Sequence, residues 1–301
     1  MEWLQTLDPG ALLQTVVAWV RGFDHDLYVI VLAVAIIMGA VFALMAAGAF
    51  WISRPLRHQQ PVAMANLTPG YHLVQGKARG PMLESPFTGR PCVWWRIRIW
   101  EAGIEFTERR DSDGEREVRQ EAVWREQRHE VSDQPIQCAE GLLCCSVQPT
   151  GISLVVPSEV REWEGPGPEP QERNPPMRRG ELLSRRSSKV RNYSIRNGEL
   201  HCENPYRYAE EIIVPGSDLF VLGQVDRADG TPVAASEVTV APWRIGLAPG
   251  GSLLRQPCML SVLPPSQVEG TFSRAARGAA IVAMIFLMLG AFTIWARLGG
   301  S

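Results

Sequence analysis

Two uncharged apolar stretches constrain this chain more than any other feature. The first runs from Leu27 to Ile52 and the second from Gly278 to Ala296, the latter fenced by Arg277 and Arg297. A helix rises about 1.5 Å per residue, so about 20 residues cross a bilayer core about 30 Å thick. Both stretches meet that length. The expected fold class is a membrane protein with two transmembrane α-helices bracketing a mainly β, barrel- or sandwich-like globular domain. The chain then divides into an amphipathic N-terminal segment (1–26), a first span (27–52), a β-rich domain (53–277), a second span (278–296) and a short tail (297–301).

The flanks of the spans carry further information. Asp8-Pro9 reads as a helix cap, and Leu12, Leu13, Val16, Val17 and Val20 follow at helical spacing, which fits an amphipathic surface helix. No Lys or Arg precedes Arg21, so the positive region of a signal peptide is missing. Arg54, Arg57, Lys77 and Arg79 follow the first span, and Arg274 and Arg277 precede the second. Only Arg21 and Arg297 flank the opposite ends. The positive-inside rule therefore places the domain in the cytoplasm and both termini outside. Neither span holds a charged or strongly polar side chain, which disfavours a transporter. Gly39, Ala43, Ala46, Ala47, Gly48, Ala279, Ala280 and Ala283 are small enough to let the spans pack on each other or build a homo-oligomer. Asp24-His25-Asp26 reads as a solvated loop before the first span.

Within the domain, Pro69-Gly70, Gly76 and Gly80-Pro81 are expected to punctuate short extended pieces. The segment Ser85-Pro86-Phe87-Thr88-Gly89-Arg90-Pro91-Cys92 reads as a turn leading into a strand. Along that strand Val93, Trp95, Ile97 and Ile99 fall on one face, expected to be core. Trp94, Arg96, Arg98 and Trp100 fall on the other. That second face is a candidate ligand or partner surface: a cation–aromatic ladder, a platform for single-stranded nucleic acid, or a solvated face of Arg stacked on Trp. Residues 105–130 hold nine acidic residues and six arginines around Asp113-Gly114, and read as a long exposed hairpin. Strands are expected at 142–147, 152–156, 206–225 and 238–245, with turns at Pro215-Gly216 and Asp229-Gly230. Residues 164–176 form a proline-rich loop. A basic run follows, in which Arg178, Arg179, Arg185, Arg186, Lys189 and Arg191 are candidates for anionic-lipid contact.

Familiar chemistry is missing from the sequence. It contains no P-loop, HExxH, GxSxG or dinucleotide fingerprint. The net charge of −2 makes nucleic acid an unfavoured partner. The six cysteines form no CxxC pair, the five histidines are scattered, and most of the thiols read as small buried hydrophobes. Adjacent Glu210 and Glu211 diverge in a strand and do not suggest acid–base work. No catalytic residue, cofactor or metal ligand is expected.

The order of these segments resembles the GIDE-type family, membrane-anchored E3 ubiquitin ligases with a beside-a-membrane domain, and their prokaryotic relatives. The resemblance rests on Ser85 to Cys92 with the aromatic-basic strand after it, on Trp124 with Pro135-Ile136, and on Glu210 to Gly216 continuing through Leu219 to Gly223. It covers about residues 76–265, between two spans. It implies a domain on the side away from the cytosol, opposite to the charge reading. Family ligases carry a RING finger after the second span. Here only Arg297 to Ser301 follow it, with no cysteine beyond Cys258 and no histidine beyond His201. The expectation is therefore a non-enzymatic binding or scaffold protein, anchored in the bilayer and recognising a protein, peptide or lipid headgroup. The alternative is a ligand-sensing effector that oligomerises through its spans and perturbs the membrane.

Overall fold

The computed structural model describes residues 15, 17–110, 116–149, 152–171, 175–179, 190, 192–196, 198–227, 239–246 and 256–298. The chain divides into a helical unit, up to His58 and from Pro265 onward, and a β unit, Gln59–Pro264.

In the helical unit, α1 (His25–His58) and α2 (Pro265–Leu298) each have 34 residues. At 1.5 Å per residue each is about 50 Å long, well beyond the bilayer core. Both are long and apolar enough to cross a membrane. Asp24 starts α1: its Oδ1 accepts a hydrogen bond from the Leu27 N–H at 2.8 Å. The Asp24-His25-Asp26 step therefore initiates a helix and is not a loop. The helices also overrun the expected spans, α1 from Ser53 to His58 and α2 from Pro265 to Arg277. The domain of 53–277 contracts accordingly. Arginine, glutamine and serine tolerate a helix well, so apolarity marks the lipid-facing part of a helix and not its ends. Proline at the first position of α2 costs no hydrogen bond there.

The small residues join the two helices. Ala35 and Gly39 are buried on α1, and Ala283 and Gly290 on α2. A Cβ on Gly39 would lie 3.1 Å from Leu287 Cδ2. Phe42 stacks on Phe286 with ring centroids 6.1 Å apart. Ile37, Leu44 and Met288 point outward and are exposed. At the far end, Arg21 Nε donates to the Ala296 carbonyl and Arg297 to that of Phe23. Of the expected amphipathic segment, residues 15 and 17–21 are helical; Asp8, Leu12 and Leu13 lie outside the described residues.

The strands of the β unit are β1 (Pro61–Val62), β2 (Gly70–Arg79), β3 (Leu83–Glu84), β4 (Pro91–Cys92), β5 (Trp94–Arg110), β6 (Arg116–Val131), β7 (Ile136–Glu140), β8 (Leu143–Val147), β9 (Leu154–Val156), β10 (Glu159–Gly165), β11 (Met177–Arg179), β12 (Tyr193–Arg196), β13 (Glu199–Cys202), β14 (Tyr206–Ile213), β15 (Asp218–Arg227), β16 (Thr239–Gly246) and β17 (Met259–Ser261). Five of them close a barrel. β2 pairs antiparallel with β7, β7 antiparallel with β8, and β8 parallel with β16. β16 then pairs antiparallel with β15, and β15 antiparallel with β2. This closure decides between barrel and sandwich. With the fifth strand parallel to the third and the fourth closing on the first, the connectivity is that of an OB-type Greek-key barrel.

Alternation places Val74, Ala78, Cys138, Cys145, Leu219 and Val221 in the barrel core, all fully buried. Contrary to the expected short pieces, β2 runs unbroken through Gly76. A Cβ there would sit 2.6 Å from the Ala139 carbonyl oxygen, so this glycine permits a close strand approach and does not break the strand.

A second sheet, ordered β11-β10-β14-β5-β6, is assembled from two insertions in the barrel. β5 and β6 come from the connection between the first and second barrel strands; β10, β11 and β14 come from that between the third and fourth. β5 and β6 stay paired from Arg96↔Val131 to Arg110↔Arg116, with a bulge at Ile99/Trp100. The Asp113-Gly114 and Asp229-Gly230 turns lie outside the described residues.

Candidate functional site

The second sheet has two faces of different chemistry. One face holds Ile97, Ile99, Tyr208, Glu210 and Trp163, and the Ser85–Arg90 turn packs on it. Ser85 N–H donates to the Arg90 carbonyl at 2.9 Å, and Gly89 closes the turn with φ +66°. The Glu210 carboxylate is 1 % exposed and holds the turn. Its Oε1 accepts from the Phe87 and Thr88 N–H groups at 3.0 and 3.2 Å, and its Oε2 from the Thr88 hydroxyl at 2.5 Å. Glu159, also buried, accepts from Arg90 at 3.2 Å and lies 3.6 Å from Arg161, which donates to the Pro175 carbonyl. Phe87 stands edge-on to Trp163 and Tyr208. This face explains the Ser85–Cys92 segment as scaffolding.

The opposite face carries Arg96, Arg98 and Trp100 from β5, across from Glu211, Ala209 and Arg207 of β14. Arg96 Nε donates to Glu211 Oε2 at 2.6 Å, and its other guanidinium arm meets the same oxygen. Burial pushes the Glu211 carboxyl above its usual range, against the pull of Arg96. Arg207 stacks on Trp124, 4.4 Å from the ring centroid, and bonds Glu164 at 3.0 Å. Across the strand pair, His129 faces Arg98. Desolvation, with the Arg98 charge second, pushes its imidazole below the usual histidine value. Arg98 Nε is buried with no hydrogen-bond partner among the described residues.

Beyond Trp100 the same face continues along the β5–β6 ribbon, where buried Val190 donates its N–H to the carbonyl of buried Ala122 at 3.1 Å. Ile104 and Trp124 are half-buried there, while Phe106 is 62 % and Val118 56 % exposed. The register sets Phe106 opposite Gln120 and Glu108 opposite Val118, so both apolar side chains share this face. The result is an apolar and aromatic stripe with an incompletely bonded guanidinium at one end. Such a surface can hold a flat or apolar group and pair a carboxylate at Arg98.

The expected candidate face is thus altered at its first member. Trp94 is 1 % exposed and belongs to the barrel core with Val93 and Ile213, so no partner reaches it. β5 begins at the barrel, where both faces of the strand are covered, and alternation sorts inside from outside only further along. Arg96 lies over the Trp94 ring at 5.5 Å. Trp95, expected in the core, is only half-buried. Of the basic run, Arg178 and Arg179 lie on β11 opposite Val160 and Glu159; Arg185, Arg186, Lys189 and Arg191 lie outside the described residues. Sequence reasoning missed Arg207, Trp124, Ile104, Phe106 and Val118 as parts of the face. Continuing the alternation of β5 to Phe106 marks the β5 members; the cross-strand partners depend on the bulge.

The thiols offer little reactivity. Cys92, Cys138, Cys144, Cys145 and Cys258 are buried. Burial, with the Glu210 carboxylate second, pushes the Cys92 thiol up to about 11. Among the described residues, no group of three or more His, Cys, Asp or Glu side chains is arranged to hold a metal ion. No family model, no curated protein and no solved structure matches this chain.

Proposed function

We propose that this chain is a non-enzymatic, membrane-anchored binding module that takes a protein or peptide segment where the Arg98 face of its second sheet becomes exposed, at Phe106 and Val118. The observation that carries this reading is the ribbon of β5 and β6. It grows from the connection between the first two barrel strands, a position from which OB-type barrels mount binding loops. It presents Phe106 and Val118 exposed, in line with Trp100 and Arg98. The fitting partner is an extended segment with a carboxylate next to apolar side chains. Glu211 is held by Arg96, which supports binding over catalysis at this face. The resemblance to the GIDE-type family belongs to the same proposal, as does a β unit on the cytoplasmic side of a prokaryotic inner membrane.

Panning a displayed peptide library against the full chain in lipid nanodiscs tests the reading. Acidic-apolar peptides are expected to enrich and to bind saturably. Arg98→Glu and Phe106→Asp are each expected to weaken them about tenfold or more, the size of about 1.4 kcal/mol at a surface contact. Peptides that bind both variants as tightly as the unsubstituted chain, or no enrichment of that class, would refute it.

A further inference from the structure

The helical unit contains a cavity of about 530 Å³ at the end of the helix pair nearer the β-unit junctions, lined by Phe50, Ser53, Arg54, Arg57 and His58 of α1 and by Glu269, Ser273, Ala276 and Arg277 of α2. We infer that this cavity is a binding site for the phosphate headgroup of an anionic phospholipid. This inference is independent of the peptide-binding reading and uses different residues.

Three observations support it. Three arginines and one glutamate leave the site with a formal excess of two positive charges. Arg54 and Arg57 are exposed and take no hydrogen bond or ion pair among the described residues. The contrast with the other end of the helix pair is informative, because there Arg21 and Arg297 are spent on the backbone carbonyls of Ala296 and Phe23. Among the described residues Arg277 bonds its own helix alone, at the Ser273 carbonyl and hydroxyl, and keeps further donors.

Position selects a lipid over a soluble anion. The cavity begins where the apolar part of α1 ends, with Phe50 in its wall and Trp51 beside it, both exposed. Aromatic side chains at that level sit among headgroups, and acyl chains can lie along the exposed apolar flanks of α1 and α2. Guanidinium groups from two helices then converge on one phosphodiester, a geometry that suits arginine.

The test uses the full chain in nanodiscs of phosphatidylcholine with a minority of phosphatidylglycerol. Native mass spectrometry reads the lipid retained by the ejected protein. Preferential retention of phosphatidylglycerol is expected. The double variant Arg54→Gln/Arg57→Gln is expected to lose that preference about thirtyfold, which is about 2 kcal/mol at about 1 per basic residue. Both positions are exposed, so an unchanged thermal melt confirms the fold of the variant. Inorganic phosphate added in excess is expected to leave retention unchanged. Equal retention of the two lipids, an undiminished preference in the double variant, or displacement by inorganic phosphate would overturn the assignment.

Discussion

Arg96 and Glu211 show how one residue pair fixes the behaviour of the second sheet. The Glu211 side chain is 2 % exposed and that of Arg96 19 %. A carboxylate so buried is tolerable only with a close cation. Its value is raised by burial even with Arg96 present. Between the ordinary carboxylate value and that raised value the folded state binds more protons than the unfolded state. Stability therefore falls as pH rises through this window. Arg96→Met removes the counter-charge and pushes Glu211 further up. The expected loss is about 3 kcal/mol at neutral pH, shrinking as the solution is acidified and Glu211 takes up its proton. Urea melts across a pH series check this. A deficit that stays constant down to acid pH would assign the effect to lost packing alone.

At the scale of elements, glycines at inward positions of the barrel decide how closely strands pass. Gly76 of β2 meets β7, where a Cβ would lie 2.6 Å from the Ala139 oxygen and 2.8 Å from Cys138 Sγ. Gly223 of β15 is similarly crowded, 2.9 Å from Ile245 Cγ2. Gly76→Ala is expected to cost about 1–3 kcal/mol by overpacking. Gly246→Ala, with nothing within 4 Å of its Cβ, is expected to be close to neutral. A melting comparison that ranks the two equally would remove the steric account. The same glycine shows where sequence reading stops. Gly76 in isolation punctuates a strand, and its meaning comes from Ala139, which is distant in sequence. The two spans were legible because twenty apolar residues say so locally. The period-two alternation of Val74, Ala78, Leu219 and Val221 announces strands, yet it is the same in a sandwich and a barrel. Closure depends on the long-range pairing of β2 with β15. Along β5, the Arg96–Arg98–Trp100 face followed from alternation. Trp94 did not, because the barrel covers the start of that strand on both sides.

At the scale of the whole molecule, both junctions between the units, His58 to Gln59 and Pro264 to Pro265, fall at the same end of the helix pair. Arg54, Arg57, Arg274 and Arg277 stand at that end, whereas Arg21 and Arg297 stand at the other. The proposed cytoplasmic placement of the β unit rests on this basic excess. The thiols make the orientation measurable. Cys138 is fully buried and offers no handle. Cys202 is half-buried at the end of β13, its Sγ donating to the Asn204 carbonyl at 3.4 Å, and the other five thiols are buried. A membrane-impermeant maleimide is expected to leave intact cells unlabelled and to label inverted membrane vesicles at Cys202, with Cys202→Ser abolishing the signal. Labelling from outside intact cells at Cys202 would reverse the orientation and agree with the side implied by the family resemblance. Labelling that survives Cys202→Ser would mean that one of the five buried thiols opens in the native membrane, which contradicts the closed barrel at Cys138, Cys144 or Cys145, or the packed positions of Cys92 and Cys258.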